Sequence, residues 1–329
     1  MSPALSERSR TATAELAQGM MSSSPVSGQM LLNLLDELDG DGPLGRVLNA
    51  HPELNVPLFC SRALGCAHLL MLTGRAPELA AHLGNYLSEG TDPAYVERAW
   101  QLWHRDMLAN LDVVRQALDR PVQQHDPGRA AALVEGLAML GAPRVRLLEL
   151  GACAGLSLLV DHYQWVGRSW TWGNPDSPVR LPAGDRFPGE LTIVERAGCD
   201  LRPLDVRDPD DVLVLRSFVP FDHELADLQL REAIELAARI DVRVDRAPAL
   251  EWLAERLAEP RRDVLTVVWH SLFWGFLPRS QQRAIHELML AAGRRMPLAV
   301  VEFEPFELPG EPRLGLRVYG SGRDESSWT

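Results

Sequence analysis

The chain has 329 residues, 46% of them hydrophobic, which is enough for one large folded domain or two ordinary ones. Its formal net charge is -12, and no basic cluster is denser than Arg261-Arg262 or Arg294-Arg295, so a nucleic-acid partner is disfavoured. The four cysteines form no C-x-x-C pair, which predicts reduced thiols in a cytoplasmic protein. The N-terminus lacks the apolar core of a secretory signal, and the longest apolar stretch, near Leu64–Leu72, is too short to span a bilayer, so we expect no membrane partner.

The first third of the chain has the hydrophobic periodicity of helices. From Thr11 to Leu118 apolar residues recur at helical spacing, and prolines stand mostly near segment starts, where they cost least. Polarity then rises over residues 119–129. We place a domain boundary there.

A further apolar helix is predicted over Ala130–Leu140. Gln124, His125 and Arg129 at its start could meet a ligand carboxylate. Alternatively, this start serves only as a helix cap, since Asp126-Pro127 fits an N-cap followed by a first helical residue.

A glycine turn follows the first predicted strand. The apolar run Leu147–Leu150 stops at Gly151, a second glycine follows at Gly155, and an apolar face then resumes, which predicts a buried strand, a tight turn and a helix. The spacing fits neither a dinucleotide site nor a triphosphate loop. The acid Glu149 suits loop N-H groups or an ammonium group better than a phosphate. An ordinary strand-turn-helix corner is the alternative.

Four large aromatic residues follow within ten positions, and they could offer cation-π faces to a positively charged ligand or pack as a hydrophobic hairpin. They are Tyr163, Trp165, Trp170 and Trp172. We favour packing for most of them, with Tyr163 and Trp165 as the better functional candidates.

The strongest strand signal in the chain is Val264–Trp269. Ligands of open α/β sheets bind beyond the carboxyl ends of strands, so His270, Ser271 and Trp274 are expected to face a cleft. His270 could act there as a general base, or it could be a buried structural histidine. One more strand is predicted at residues 298–303, and an antiparallel closing strand at residues 314–319.

Several of these motifs together resemble known proteins. The run Glu149-Leu-Gly-Ala-Cys-Ala-Gly155 is similar to the first motif of class I S-adenosylmethionine-dependent methyltransferases, with Cys153 in place of the middle glycine. The run Arg196-Ala-Gly-Cys-Asp-Leu-Arg-Pro203 is similar to their second motif. With Trp172-Gly-Asn-Pro-Asp-Ser-Pro-Val and His270-Ser, these motifs resemble a bacterial family known as a domain of unknown function, over nearly the whole chain.

The resemblance implies an α/β protein with a Rossmann-like class I methyltransferase fold, whose sheet is mostly parallel with an antiparallel last strand. Residues 1–125 would form a helical domain that covers the cleft, and residues 126–329 the Rossmann-like domain, with an insertion at 162–190.

The resemblance also implies S-adenosylmethionine as cofactor or substrate. Asp200 would accept hydrogen bonds from the ribose hydroxyls, and Asp245 would lie near the adenine, although Pro248 occupies a position where relatives have an acid. The expected cofactor-binding residues are Glu149, Gly151, Ala152, Gly155, Asp200, Leu201, Asp245, Arg129, Gln124 and Ser271. The expected catalytic residues are His270, Tyr163 and Trp274.

Three functions remain open at this stage. The first is methyl transfer to a small molecule. The second is an intramolecular cyclisation, as in azetidine-2-carboxylate synthases, in which the amine of S-adenosylmethionine closes a ring and methylthioadenosine is released for natural product biosynthesis. The third is a nucleoside-binding protein without catalysis. The glycine spacing disfavours NAD chemistry.

Overall fold

The computed structural model describes residues 4–84, 92–123, 125–305, 310–320 and 325–328. Contacts divide the chain into two compact units. As far as they are described, the first consists of Met1–Gln124, Pro209–Leu228 and Leu308–Gly310, and the second of His125–Asp208, Gln229–Glu307 and Glu311–Thr329.

The first unit is built from helices, and the second combines helices with strands. In chain order the described α-helices are α1 (Glu7–Met20), α2 (Pro25–Asp39), α3 (Pro43–Asn49), α4 (Phe59–Leu72), α5 (Pro77–Leu83), α6 (Pro93–Ala109), α7 (Leu111–Leu118), α8 (Ala130–Leu140), α9 (Pro209–Ser217), α10 (Glu224–Ala237), α11 (Ala249–Ala258) and α12 (Arg279–Gly293). No helix among the described residues is long and apolar enough to span a bilayer.

Prolines start four of the helices between residues 4 and 123. Pro25, Pro43, Pro77 and Pro93 each occupy the first helical position, where the missing N-H would have no partner in any case. This confirms the prediction that prolines lie near segment starts. The helices enclose an apolar core in which the Trp103 side chain is fully buried.

The segment Pro209–Leu228 packs with this helical unit, although the sequence places it in the second domain. The ring of Phe218 lies against Gly65 of α4, where an added Cβ would stand 3.2 Å from it. Buried Asp222 accepts a 2.8 Å hydrogen bond from the N-H of Val26 in the first turn of α2. A carboxylate stabilises the positive end of a helix, so this contact fixes the segment to α2.

The second unit contains a seven-stranded sheet with the order β10-β9-β8-β7-β1-β5-β6. Its strands are β1 (Arg144–Leu150), β5 (Thr192–Asp200), β6 (Val244–Arg246), β7 (Leu265–Ser271), β8 (Leu298–Glu304), β9 (Arg313–Tyr319) and β10 (Glu325–Trp328). Strands β6, β5, β1, β7 and β8 are parallel to one another, whereas β9 is antiparallel to β8. The expected α/β class and mostly parallel sheet are confirmed. Strand β10, which pairs with β9, was not predicted.

Helices cover both faces of this sheet. Leu148 of β1, Val268 of β7 and Val300 of β8 belong to one apolar core with residues of α11 and α12. On the other face, Gly136 of α8 lies against β8, since an added Cβ would stand 2.4 Å from Val301. Successive side chains of a strand point to opposite faces of the sheet. Alternate residues along each strand therefore meet the helices on one face, and the residues between them meet the helices on the other.

The helix predicted after the glycine turn is only a 3-10 turn, Leu156–Leu159. Three carbonyls between residues 156 and 160 accept hydrogen bonds from the side chains of Tyr163, Trp165 and Arg196. These carbonyls would bond to later N-H groups if the helix continued. The side chains take their place, so the prediction of a helix here was wrong.

The aromatic insertion forms a separate three-stranded sheet of order β3-β2-β4. Its strands are β2 (Gln164–Val166), β3 (Thr171–Gly173) and β4 (Arg180–Pro182). Trp165 and Trp172 are paired across the β2-β3 hairpin. The alternative of a packed hydrophobic hairpin therefore describes this segment.

Candidate functional site

The crevice at the carboxyl ends of β1 and β7 is where this topology places a ligand. Strand β1 lies between β5 and β7, and the strand order reverses there, since the chain passes from β1 to β5 on one side and later to β7 on the other. Open α/β sheets bind ligands at such a point. Leu272, directly after β7, has a left-handed φ of 50°, a strained conformation of the kind that clusters at functional sites.

The glycine loop after β1 is held in left-handed conformations. Gly151 has a φ of 69° and Gly155 a φ of 73°, which explains the glycines at these positions. Cys153, at the position where the resembling motif has a glycine, also has a positive φ of 50°. A cysteine can adopt this conformation only at a cost of about 1 kcal/mol, so the loop keeps the backbone path of a glycine-rich turn without the middle glycine.

Side chains of the protein fill the space in front of both glycines. A Cβ added to Gly151 would stand 2.4 Å from the Phe273 ring, and one added to Gly155 would stand 2.9 Å from both Val242 and Val244. The two glycines are therefore required for packing of the loop on the ends of β6 and β7.

Asp200, the last residue of β5, holds the glycine loop in place. Its two carboxylate oxygens accept hydrogen bonds from the N-H groups of Cys153, at 3.0 Å, and of Arg202, at 2.8 Å. Each oxygen keeps one lone pair for a further donor such as a hydroxyl. Neighbouring Leu201 is 67% exposed, whereas Ala152 is fully buried in the loop.

Glu149 is a buried acid near the end of β1. Its side chain is 3% exposed, and its Oε2 atom has no hydrogen-bond partner among the described residues. Burial raises the pKa of Glu149 to about 8, although Ser157, Arg129 and the Trp269 indole act to lower it. At neutral pH the folded protein therefore holds Glu149 mostly as the neutral acid, and on losing its proton the carboxylate would accept from a hydrogen-bond donor or a cation.

Polar groups of the α8 side surround this acid. His125 is buried, and its Nε2 lies 3.5 Å from the Ser157 hydroxyl. Burial, together with the charge of Arg129, lowers the pKa of His125 to about 3, so the ring is neutral at pH 7. The structure thus brings His125, Arg129 and Glu149 to one place, as the sequence suggested for the first two. Gln124 lies outside the described residues.

Trp269 and Ser271 face the same side of the sheet as Glu149. Trp269 is the register partner of Glu149 across β1 and β7, and Ser271 lies two residues further along the same strand. The indole Nε1 of fully buried Trp269 and the Oγ of Ser271 have no hydrogen-bond partner within the described chain. The Trp269 indole lies close enough to Glu149 for a hydrogen bond to lower the Glu149 pKa, but the two groups do not reach full hydrogen-bond geometry.

His270 points to the opposite face, toward α11 and α12, because it alternates with Trp269. It is 1% exposed, and its two ring nitrogens lie 2.8 Å from Glu304 Oε1 and 3.4 Å from Glu302 Oε2. Its ring stacks on Trp274 with centroids 5.0 Å apart. One ring nitrogen is thus hydrogen-bonded and the other faces a second carboxylate, which matches the structural-histidine alternative, and His270 is not brought together with Glu149.

Glu304 organises the loop that follows β7. Its Oε1 accepts hydrogen bonds from the N-H groups of Phe273, at 2.9 Å, and Trp274, at 3.1 Å. The same loop places the Phe273 ring over Gly151. Sequence reasoning gave Glu302 and Glu304 no role.

Two other predicted site residues are occupied elsewhere. Tyr163 is fully buried, and its hydroxyl donates a 2.7 Å hydrogen bond to a backbone carbonyl of the 3-10 turn. Asp245 accepts from Trp252 Nε1 at 2.9 Å and forms ion pairs with Arg243 at 3.0 Å and Arg256 at 2.6 Å. The structure therefore gives Tyr163 a packing role and leaves Asp245 little capacity for an adenine amine.

Trp269 was missed by sequence reasoning. It was treated only as the end of a hydrophobic strand, whereas alternation along that strand places it and not His270 beside Glu149. The face of β1 on which Glu149 lies, together with the register of β1 on β7, would have identified Trp269 as its neighbour. Strand register, however, cannot be read from one sequence.

A cavity of about 910 Å³ lies in the second unit. Arg129 and Glu135 line it from the α8 side, and Phe303 of β8 and Arg313 of β9 from the sheet. Phe303 is the register partner of Ser271, so the cavity adjoins the end of β7 on the Glu149 side. The volume suits a small-molecule ligand. Among the described residues, no group of three His, Cys, Asp or Glu side chains is placed to hold a metal ion.

Comparison with known proteins gives a family and no function. No curated protein matches the chain. The sequence pattern of a family described as an uncharacterized protein conserved in bacteria matches residues 10–328, which is nearly the whole chain. The protein therefore belongs to this uncharacterised bacterial family, DUF2332.

Proposed function

We propose that this protein is an S-adenosylmethionine-dependent enzyme that methylates a small molecule, on a Rossmann-like sheet of the class I methyltransferase type. The observation that carries the proposal is the buried Glu149 carboxyl, with its unfilled Oε2 at the reversal point of the strand order. S-Adenosylmethionine carries an ammonium and a sulfonium group, and a buried carboxylate is stabilised by a cationic partner.

The residues present fit the ligand in part. Glu149 would accept from its ammonium group, and Asp200 would offer its remaining lone pairs to the ribose hydroxyls while it holds the glycine loop. The left-handed Gly151 and Gly155 support the same loop path. Asp245 does not fit the expected adenine contact because its oxygens already have donors. Backbone groups would serve the adenine instead.

Strand topology supports the proposal with one difference. The resemblance implies a mostly parallel sheet with an antiparallel closing strand, and the parallel strands β6, β5, β1, β7 and β8 followed by antiparallel β9 fit that expectation. One more strand, β10, then lies at the sheet edge, beyond the expected closing strand. The difference is remote from the β1-β7 crevice, so it does not affect the ligand site.

Methyl transfer is preferred to cyclisation because of where the aromatic residues lie. Aromatic walls from the insertion would favour the cyclisation hypothesis, yet Tyr163 and Trp165 of that insertion are fully buried and bonded to backbone carbonyls. In the methyl-transfer proposal S-adenosylmethionine supplies the methyl group. Glu149 and Asp200 orient it, and the buried surroundings exclude water.

The proposal is tested by calorimetric titration of the full chain with S-adenosylmethionine and S-adenosylhomocysteine, followed by product analysis. Incubation with S-adenosylmethionine and a bacterial metabolite extract should yield S-adenosylhomocysteine, detected by mass spectrometry. Methylthioadenosine formed without any acceptor would replace methyl transfer by cyclisation. Absence of binding of both nucleosides would refute the proposal.

A matched pair of variants locates the site. Glu149→Gln removes the buried acid, and Glu287→Gln makes the same change on the exposed face of α12. We expect Glu149→Gln to weaken S-adenosylmethionine binding about tenfold or more, since it removes a charged partner, and Glu287→Gln to leave it unchanged.

A further inference from the structure

Three buried polar groups without partners stand on one face at the carboxyl ends of β1 and β7. They are the Glu149 Oε2, the Trp269 Nε1 and the Ser271 Oγ. Buried polar atoms are almost always hydrogen-bonded in proteins, so a local group of three that lack partners among the described residues points to a ligand. The side chains of Glu149 and Trp269 are 3% and 0% exposed.

The three groups differ in chemistry in a way that defines the ligand. A carboxylate only accepts hydrogen bonds, an indole N-H only donates, and a hydroxyl does either. Glu149 and Trp269 are register partners on neighbouring parallel strands, which lie about 4.8 Å apart, so the acceptor and the donor are side by side. A ligand that satisfies both at once carries a hydrogen-bond donor next to an acceptor, and the negative charge of an ionised Glu149 favours a cationic donor.

The positively charged Arg129 lies near these three groups. Arg129 acts on the ionisation of both Glu149 and His125, which places its guanidinium within electrostatic reach of the group. Arg129 also lines the cavity of about 910 Å³, and Phe303, the partner of Ser271, lines it too. An anionic ligand group near Trp269 and Ser271 would therefore have a favourable field and an adjoining space for the rest of the molecule.

We propose that Glu149, Trp269 and Ser271 form a binding site for the zwitterionic α-amino acid group of the ligand. Glu149 releases its proton to the solvent when the ligand binds and then accepts from the ammonium group, while Trp269 Nε1 and Ser271 Oγ donate to the ligand carboxylate. The inference builds on the proposed function, because S-adenosylmethionine carries this group, but it also applies to a free amino acid.

The test compares two nucleosides that differ in this group. S-Adenosylhomocysteine has the α-amino acid group, and methylthioadenosine lacks it. Trp269→Phe should weaken S-adenosylhomocysteine binding about tenfold, as expected for a lost hydrogen bond to a charged group, and should leave methylthioadenosine binding unchanged. Ser271→Ala should weaken S-adenosylhomocysteine binding by a smaller factor and should also leave methylthioadenosine binding unchanged.

Trp252→Phe is the matched control. Trp252 is 3% exposed and its indole N-H already donates to Asp245, so its replacement should affect neither nucleoside selectively. Thermal unfolding and circular dichroism establish that each variant is folded. If Trp269→Phe does not fold, Ser271→Ala carries the same comparison.

Each outcome separates this inference from the proposed function. Equal losses for both nucleosides, or a lower melting temperature with both affinities unchanged, would overturn the inference and leave the proposed function standing. The latter result would mean that Glu149 and Trp269 simply bond to each other. If neither nucleoside binds but free methionine binds in a Trp269-dependent way, the proposed function fails and the inference holds. If methionine does not bind either, both fail.

Discussion

Glu149→Gln should change how the stability of the protein depends on pH. The folded-state pKa of Glu149 is about 8 and its ordinary value is 4.5. Between these values the folded protein holds a proton that the unfolded chain releases, so the free energy of unfolding falls as pH rises. The slope is about 1.4 kcal/mol per pH unit. Replacing the acid by an amide removes this contribution.

His125 limits the window in which the effect is seen alone. Its folded-state pKa is about 3 and its ordinary value is 6.5, so between these values the unfolded chain binds the extra proton and stability rises with pH. The two contributions oppose each other between pH 4.5 and 6.5, and above pH 6.5 only the contribution of Glu149 continues. From pH 6.5 to 8 we expect the wild-type protein to lose roughly 2 kcal/mol relative to Glu149→Gln.

Urea denaturation followed by circular dichroism at several pH values measures this difference. Subtracting the two curves cancels every other titrating group, and Glu287→Gln should follow the wild type because that acid is exposed. Parallel curves for wild type and Glu149→Gln would show that Glu149 is already ionised in the folded protein at neutral pH. The argument for an unfilled, protonated acid at the strand end would then be refuted.

Three further changes test the packing of the site. Gly155→Ala should destabilise the protein by about 1–2 kcal/mol in urea denaturation, because φ is 73° and the new Cβ would meet Val244 at 2.9 Å. Gly189→Ala is the control: φ is 75° there but the space is open, so this variant should lose only the free energy of the unfavourable backbone conformation. Cys153→Gly should leave the melting temperature unchanged or slightly raised, since relief of a strained φ offsets the flexibility of glycine, and a clear drop would show that the thiol packs favourably. Tyr163→Phe should cost about 1–3 kcal/mol through a buried carbonyl left unpaired, with S-adenosylmethionine affinity unchanged; a selective loss of affinity or turnover would restore Tyr163 as a functional residue.

The sequence determined the elements whose signals are local. Helix α8 begins and ends at Ala130 and Leu140 as predicted, and Asp126 caps the turn before it through a 2.8 Å bond to the Gly128 N-H. Hydrophobic runs located β1, β7 and β8, and the glycines marked the loop with positive φ. Proline position, side-chain periodicity and backbone angle are properties of a few neighbouring residues, so they can be read from them.

Only the tertiary structure decided how those elements use their side chains. Whether Trp269 or His270 stands beside Glu149 depends on strand register and on which helices cover each face, and one residue of difference reverses the answer. The helix expected after Gly155 ends after one turn because side chains distant in sequence, such as Arg196, bond to its carbonyls. These outcomes depend on pairings between distant residues, which local patterns do not encode.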